Sequence, residues 1–189
     1  DKDVLLGPGV NIYRTPLNGR NFEYMGEDPF LSSKMVVPYI QEVQKNGVAA
    51  SVKHFALNNQ EQWRGNINVN VSDRALYEIY LPAFKAAVQD GGAWTIMGAY
   101  NKIWNQHCCH NSRLLNDILR GEWGFGGFVV SDWGGDNDHV EGVRAGSNLV
   151  MPGPGECCAA DLVDAVRRGD LPEEAVDQRV RELLSVILP

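Results

Sequence analysis

Hydrophobic and polar residues follow two periods along the chain, which predict β-strands that alternate with amphipathic helices. Short apolar runs bounded by glycine indicate buried strands, whereas apolar residues spaced three or four positions apart indicate helices. The predicted strands are residues 4–12, 47–55, 94–99, 124–133 and 148–151. The predicted helices are residues 31–46, 73–90, 113–122, 139–145, 159–168 and 172–188. In the first helix, Pro38 predicts a kink or an early end.

Repeated β-α units form a parallel sheet, because right-handed crossovers return each strand in the same direction as the one before it. Polar residues at the strand ends favour a barrel over an open sheet. A complete (β/α)8 barrel usually needs about 250 residues, and the chain has 189. We therefore expect an α/β fold, a (β/α)8 TIM-type barrel incomplete at its N-terminal side, of which residues 1–189 form the C-terminal major part. We expect the natural start and any targeting signal to lie outside the chain.

The composition is typical of a soluble globular protein, with 44% hydrophobic residues. The net charge of −7 and the lack of a basic run argue against binding to nucleic acids and to anionic membrane surfaces. No segment approaches the roughly twenty consecutive apolar residues that a membrane span requires. A neutral or polar small molecule fits better as a partner. The sequence does not indicate a cellular compartment.

The cysteines form two neighbouring pairs, and histidines flank the first pair. These residues are His107, Cys108, Cys109, His110, Cys157 and Cys158. Structural zinc sites usually space their paired cysteines two to four residues apart, whereas these cysteines are adjacent, so we expect no metal and no cofactor. A disulfide between the two pairs is geometrically possible, and the sequence leaves its presence open.

Charged and aromatic residues follow the predicted strands and converge on one end of the sheet. They are Arg14, Arg20, Lys53, His54, Tyr100, Asp132 and Trp133. Core packing does not explain them, because buried charges are costly unless they are paired. Asp132 can attack an anomeric carbon, and Trp133 can pack on a sugar ring. Two simpler roles stay open: Asp132 can cap the next helix, and Arg14 can pair with a loop carboxylate, Glu23 or Asp28.

Six motifs carry a resemblance to a known family. They are NGRNFE (18–23), GEDP (26–29), KHF (53–55), GAYN (98–101), LRGEWGF (119–125) and SDW (131–133), and they span nearly the whole chain. At these residues the chain resembles glycoside hydrolase family 3, the β-glucosidase-like retaining enzymes. By that resemblance, Asp132 would be the nucleophile that forms the glycosyl-enzyme. The residues that would hold the sugar hydroxyls are Arg20, Lys53, His54 and Arg64, and those that would line the pocket are Met97, Tyr100 and Trp133.

Two departures from the family pattern concern the acid/base residue. The N-terminal barrel segment has no counterpart here, and neither has the second, α/β sandwich domain, which supplies the glutamate acid/base in β-glucosidase-like members. The N-acetylglucosaminidase branch keeps its acid/base in an Asp-Ser-His loop after Lys-His, but residues 55–64 lack that pattern. We therefore expect the acid/base outside this chain. Glu61 is a weak internal candidate, because nothing in the sequence places it about 5 Å from Asp132.

Three functions remain as hypotheses. The first is a retaining β-glycosidase that hydrolyses terminal, non-reducing β-linked sugars of oligosaccharides or aryl and alkyl β-glucosides, with β-xylosidase-type specificity as an alternative. The second is a non-catalytic barrel fragment that needs other segments of the same protein for activity. The third is an aldolase-like enzyme that uses Lys53 as a Schiff-base lysine.

Overall fold

The computed structural model describes residues 3–153 and 156–188, without the side chains of residues 156–158. Its strands are β1 (Val4–Leu5), β2 (Ala49–Phe55), β3 (Asn68–Val69), β4 (Thr95–Gly98), β5 (Lys102–Ile103), β6 (Gln106–His107) and β7 (Phe128–Val130). Its α-helices are α1 (Pro29–Gln44), α2 (Asp73–Ala75), α3 (Pro82–Gln89), α4 (His139–Ala145), α5 (Glu156–Arg168) and α6 (Glu173–Ile187). Short 3-10 helices cover Asn21–Glu23 and Cys108–His110, and π-helices cover Leu76–Tyr80 and Arg113–Glu122.

The main sheet has the strand order β1-β2-β4-β7, and all its strands are parallel. Ser51 of β2 pairs with Thr95 of β4, and Ile96 of β4 pairs with Val129 of β7. Helices lie between successive strands along the chain, as right-handed β-α units require. This is the predicted α/β arrangement, and within the described residues the sheet is open, with β1 and β7 at its edges.

Apolar residues cover both faces of the sheet, because alternate side chains of each strand point to opposite sides. Ile96 and Val129 belong to the large hydrophobic cluster, which the helices α1 and α3 also enter. Phe55, at the end of β2, packs edge-on against Phe84 of α3, with ring centroids 5.1 Å apart. On the other face, Met97 joins a smaller cluster with residues of β7 and α6. Both faces of the sheet are therefore covered by packed apolar side chains.

All five predicted strands are shorter than expected; for example, the predicted strand 124–133 is paired only at Phe128–Val130. The predicted strand 4–12 pairs in the sheet only at Val4–Leu5, and Gly9 adds an isolated bridge to Lys53. Pro8 interrupts the pairing, because proline has no N–H to donate. The predicted strand 148–151 is reduced to one bridge between Leu149 and Val130, ahead of the next proline. The small sheet β3-β5-β6 lies in polar segments and was not predicted.

The first helix begins earlier than predicted and continues through its proline. The carboxylate of Asp28 caps α1 by accepting hydrogen bonds from the N–H groups of Phe30 and Leu31 at 2.8 and 3.4 Å. This capping places the helix start at Pro29. The helix then runs through Pro38 without interruption, so the predicted early end is wrong.

The second predicted helix, 73–90, is divided into α2, a π-helical turn and α3. Pro82 starts α3, because a proline lacks the N–H that would continue the preceding turn. The N–H of Leu81 instead donates to the carbonyl of Leu76 at 2.9 Å, which is a π-type bond. The last two helices begin at Glu156 and Glu173 rather than at 159 and 172. Across the described ranges, no helix is long and apolar enough to cross a bilayer.

Candidate active site

The carboxyl ends of three neighbouring strands bring predicted site residues together. Lys53 and His54 lie near the end of β2, whereas Tyr100 follows β4 and Asp132 follows β7. Because these strands are parallel neighbours, their ends meet at one edge of the sheet. His54 Nε2 lies 3.5 Å from Asp132 Oδ2. The hydroxyl of Tyr100 donates a hydrogen bond to the carbonyl of Trp133 at 2.7 Å. These contacts join residues at the ends of three strands in one site.

Asp132 has one carboxylate oxygen that is buried without a hydrogen-bond partner among the described residues. Its Oδ1 accepts a hydrogen bond from the N–H of Trp133 at 2.8 Å, whereas Oδ2 accepts none from the described residues. The side chain is 12% exposed, and polar atoms buried to this extent normally have hydrogen-bond partners. The alternative role of Asp132 as a helix cap is wrong, because Asp138 caps α4 by accepting from the N–H of Glu141 at 3.1 Å.

His54 is buried and neutral. Burial, together with the positive charges of three nearby basic residues, lowers the pKa of His54 to about 2. Its Nδ1 lies 2.9 Å from the hydroxyl of Tyr24. Asn11 holds the backbone of His54 on both sides, because its Oδ1 accepts from the N–H at 2.8 Å and its Nδ2 donates to the carbonyl at 3.0 Å. The imidazole is thus a fixed, uncharged group whose Nε2 faces Asp132.

Glu23 bridges two of the predicted basic residues. Its Oε2 lies 2.9 Å from Lys53 Nζ, and its Oε1 contacts Arg20 Nε. Burial alone would raise the pKa of Glu23, but the hydrogen bonds from Lys53 and Arg20 outweigh it and lower the pKa. For Arg20, burial acts to lower the pKa, and the hydrogen bond to Glu23 reverses that effect and raises it. Sequence reasoning missed Glu23, although it belongs to the same motif as Arg20.

The loop between β1 and α1 is held by its own side chains. The hydroxyl of Tyr13 lies 2.5 Å from the carbonyl oxygen of Asn21 and 2.7 Å from that of Tyr24. A second contact joins this loop to the segment after β2, because the N–H of Glu61 donates to the carbonyl of Asn18 at 3.0 Å. The loop before α1 and the segment after β2 are therefore joined, and together we call them the loop wall of the site.

Arg64 extends this wall towards Tyr100. Its guanidinium carbon lies 4.2 Å from the centre of the Tyr100 ring, and its Nη1 lies 2.6 Å from Glu61 Oε2. The other oxygen of Glu61 accepts from Asn58 Nδ2 at 3.2 Å. Both carboxylate oxygens of Glu61 are therefore engaged. Burial and the nearby negative charge of Asp132 raise the pKa of Tyr100.

The remaining predicted residues occupy different environments. Trp133 is 40% exposed at the edge of the site, which leaves its ring accessible. Met97 is 2% exposed and packs in the smaller hydrophobic cluster, so its role in lining a pocket stays a prediction. Arg14 contacts the hydroxyl of Tyr80 and lies over its ring. The suggested pairing of Arg14 with a loop carboxylate is therefore wrong.

Cys108 and Cys109 are buried, and neither forms a disulfide with a cysteine whose side chain the structure describes. Burial raises the pKa of the Cys108 thiol to about 12, which makes it unreactive at neutral pH. The side chains of Cys157 and Cys158 lie outside the described residues, and so does the suggested disulfide between the pairs. In the part of the chain that the structure describes, no group of three or more His, Cys, Asp or Glu residues is arranged to hold a metal ion.

Comparison with known proteins gives consistent matches over the chain. Residues 1–186 match the family model described as the glycosyl hydrolase family 3 N terminal domain. The chain is 56% identical, over 99% of its length, to Beta-glucosidase BoGH3A of Bacteroides ovatus and covers 27% of that protein. It is 45% identical, over 97% of its length, to an exo-alpha-(1->6)-L-arabinopyranosidase of Bifidobacterium breve and covers 24% of that protein.

Solved structures agree with these matches. The structure of beta-glucosidase 3B from Thermotoga neapolitana in complex with glucose superposes with a TM-score of 0.96 at 45% identity. The superposition covers 98% of this chain and 27% of that protein. The chain thus spans about a quarter of the length of the relatives it matches. The agreement confirms the predicted α/β barrel-type fold.

Proposed function

Because this chain belongs to glycosyl hydrolase family 3, we propose that it is part of a retaining β-glucosidase that releases terminal β-linked sugars from non-reducing ends. The observation that carries the proposal is the carboxylate of Asp132, whose Oδ2 accepts no hydrogen bond from the described residues. A nucleophile needs such a free lone pair. The solved relative with bound glucose supports a sugar of this class as the substrate.

The reaction takes place in two displacements at the anomeric carbon. In the first, Asp132 Oδ2 forms a bond to this carbon, and the bond from the carbon to the leaving oxygen breaks as that oxygen takes a proton from an acid. In the second, a water oxygen bonds to the same carbon, the ester bond to Asp132 breaks, and the former acid removes the proton of the water. Two inversions restore the β configuration.

The surroundings of Asp132 suit an uncharged sugar. Three basic side chains lie in the site, and each contacts a carboxylate: Arg20 and Lys53 contact Glu23, and Arg64 contacts Glu61. With a neutral His54, the three basic side chains balance the three carboxylates Glu23, Glu61 and Asp132. The N–H groups of the basic residues remain directed donors for sugar hydroxyls. Trp133 supplies a flat accessible ring on which a pyranose can pack.

We place the general acid in a part of the longer protein outside this chain, which spans about a quarter of its relatives. A general acid must carry a proton near neutral pH. Basic side chains hold both carboxylates beside the site: Lys53 Nζ lies 2.9 Å from Glu23 and Arg64 Nη1 lies 2.6 Å from Glu61, and the pKa of Glu23 is lowered. The family resemblance assigns the acid to an α/β sandwich domain. The chain alone is then catalytically incomplete.

The geometry favours hydrolysis over the aldolase alternative. Lys53 Nζ lies 2.9 Å from a carboxylate oxygen of Glu23, whereas a Schiff-base lysine must attack a carbonyl as a neutral amine. Borohydride trapping with a carbonyl substrate tests that alternative, since an adduct at Lys53 would support it. The non-catalytic alternative is tested by assaying this chain alone, because measurable turnover of an aryl β-glucoside that is lost in Asp132→Ala would rule it out.

Azide rescue of the full-length protein tests the proposed nucleophile. The variant Asp132→Gly should lose hydrolysis of an aryl β-glucoside, and added azide should restore release of the aryl group with formation of the α-glycosyl azide. Azide attacks from the face that the missing carboxylate leaves open. Asp138→Asn is the matched control, because asparagine keeps the cap of α4, and it should retain full activity. Unchanged hydrolysis by Asp132→Gly would refute the proposal.

The sugar preference is tested with a panel of aryl glycosides. One relative is named a β-glucosidase and another an arabinopyranosidase, at 56% and 45% identity. We propose that the aryl β-glucoside has the highest kcat/KM, ahead of the β-xyloside and the α-L-arabinopyranoside. A higher kcat/KM for either of the other two would assign the protein to that sugar while leaving the nucleophile unchanged.

A further inference from the structure

A chain of buried polar groups leads from the loop after β2 to Asp132. It runs through Glu61, Asn58, Tyr24 and His54 and ends at the nucleophile, and the structure gives a distance for every step. Asn58, Tyr24 and His54 are all less than 7% exposed. Neither Tyr24 nor Asn58 was predicted as a site residue, and the two displacements at Asp132 do not use them.

The direction of each hydrogen bond follows from the two carboxylates at the ends. Glu61 Oε1 can only accept, so the group 3.2 Å from it must be the amide nitrogen of Asn58. That nitrogen also lies 3.2 Å from the hydroxyl of Tyr24, which therefore accepts from Asn58. The single hydroxyl proton of Tyr24 is then free to be donated to His54 Nδ1, 2.9 Å away.

This direction determines the tautomer of His54. When Nδ1 accepts a proton from Tyr24, a neutral imidazole carries its own proton on Nε2. Nε2 lies 3.5 Å from Oδ2 of Asp132, which also can only accept. The hydrogen bond from Tyr24 thus determines the tautomer, and the Asp132 end of the chain is compatible with it. At 3.5 Å the contact is too long for a hydrogen bond, so Oδ2 stays free while the N–H lies beside it.

We propose that Tyr24 is a positioning residue, which with Asn58 fixes His54 as the Nε2–H tautomer and aims that N–H at the nucleophile and the adjoining sugar position. The expected effect on the kinetics rests on the proposed function. The assignment of the tautomer is independent of that function. Without the hydroxyl of Tyr24, the Nδ1–H form becomes accessible, and the lone pair of Nε2 then faces a carboxylate and presents no donor to a sugar hydroxyl.

The test combines tautomer and kinetics on the full-length protein. Nitrogen-15 NMR of histidine-labelled protein, with His54 assigned by the loss of its signals in His54→Gln, should show a protonated Nε2 and an unprotonated Nδ1. Tyr24→Phe should shift His54 towards the Nδ1–H form and lower kcat/KM for an aryl β-glucoside roughly tenfold. An Nδ1–H tautomer in the unmodified protein would overturn the inference.

Tyr13→Phe is the matched control. It removes a hydroxyl that bonds to carbonyl groups of the same loop but does not contact His54. It should leave the His54 tautomer unchanged. If Tyr24 only stabilised the loop, Tyr24→Phe and Tyr13→Phe would have the same effects on the tautomer and on the kinetics. Equal kinetics and equal spectra for both variants would overturn the inference. If the unmodified protein has no glycosidase activity, the proposed function fails, whereas the NMR result still decides the tautomer.

Discussion

Replacing Glu23 by Gln removes the negative charge that holds two basic side chains in the site. Lys53 and Arg20 both contact this carboxylate. In Glu23→Gln the two cations repel each other without a carboxylate between them, and the amide can accept from only one oxygen. We expect lower stability and a higher KM for an aryl β-glucoside, because these donors are then no longer fixed beside the sugar.

The burial of the contact sets the size of the effect. Removing one partner of a fully buried ion pair costs about 3–5 kcal/mol, whereas an exposed pair contributes about 0–1 kcal/mol. The side chains of Glu23 and Lys53 are 20% and 15% exposed, which lies between these limits. We therefore expect the free energy of unfolding to fall by about 2 kcal/mol, as measured by urea denaturation with tryptophan fluorescence.

The pH dependence provides a second check. Because the folded-state pKa of Glu23 is lowered below 4.5, the stabilisation is fully present above that pH and is lost as the pH falls through the lowered value. The difference in the free energy of unfolding between the unmodified protein and Glu23→Gln should therefore shrink as the pH falls through this range. The control is Glu27→Gln, an exposed residue of the same loop, which should change little. Equal stability and equal KM for both variants would refute the reasoning.

Three further predictions concern other parts of the chain. Glu182→Ala should lower the free energy of unfolding by about 3–5 kcal/mol in urea denaturation, because it leaves Arg120 and Arg179 buried without their carboxylate. As the pH falls below 6.5, the free energy of unfolding should decrease by up to about 1.4 kcal/mol per pH unit because of His54. In the unfolded chain His54 takes up a proton, whereas the folded protein excludes this proton down to about pH 2. Trp133→Ala should lower kcat/KM for an aryl β-glucoside roughly tenfold, through loss of ring packing.

Each of these predictions has a contrary outcome. A change below about 1 kcal/mol for Glu182→Ala would mean that water replaces the carboxylate in that network. In His54→Gln the pH slope should be shallower, and an unchanged slope would assign the proton uptake to other groups. A Trp133→Ala variant with unchanged kcat/KM would place the sugar away from this ring.

The strands, helices and motif positions were predictable because they depend on local sequence. A glycine-bounded apolar run predicts β7, and the residue that follows it, Asp132, lies at the expected edge of the sheet. Helix boundaries were less predictable, since they depend on single contacts such as the cap by Asp28. The strand predicted at 148–151 failed because pairing partners, which the local pattern does not contain, decide whether an apolar run becomes a strand.

The site was predictable in its residue types but not in its internal contacts. Lys53 and Arg20 were predicted as separate donors, whereas the structure joins them through Glu23, thirty positions from Lys53 in the sequence. The contact between Tyr24 and His54 likewise connects the loop before α1 to strand β2, thirty positions further along the sequence. Such pairs follow from how this loop folds over the sheet, and no local pattern in the loop or in the strand specifies them.

Covalent labelling of the full-length protein tests the central claim most directly. A 2-deoxy-2-fluoro-β-glucoside with an activated leaving group forms the glycosyl-enzyme with little acid assistance, and the fluorine slows its hydrolysis, so that the intermediate accumulates. Peptide mass mapping should then locate one fluoroglucosyl group on Asp132, with none on Asp132→Asn. A label on another carboxylate, with Asp132 unmodified, would contradict the assignment of Asp132 as the nucleophile.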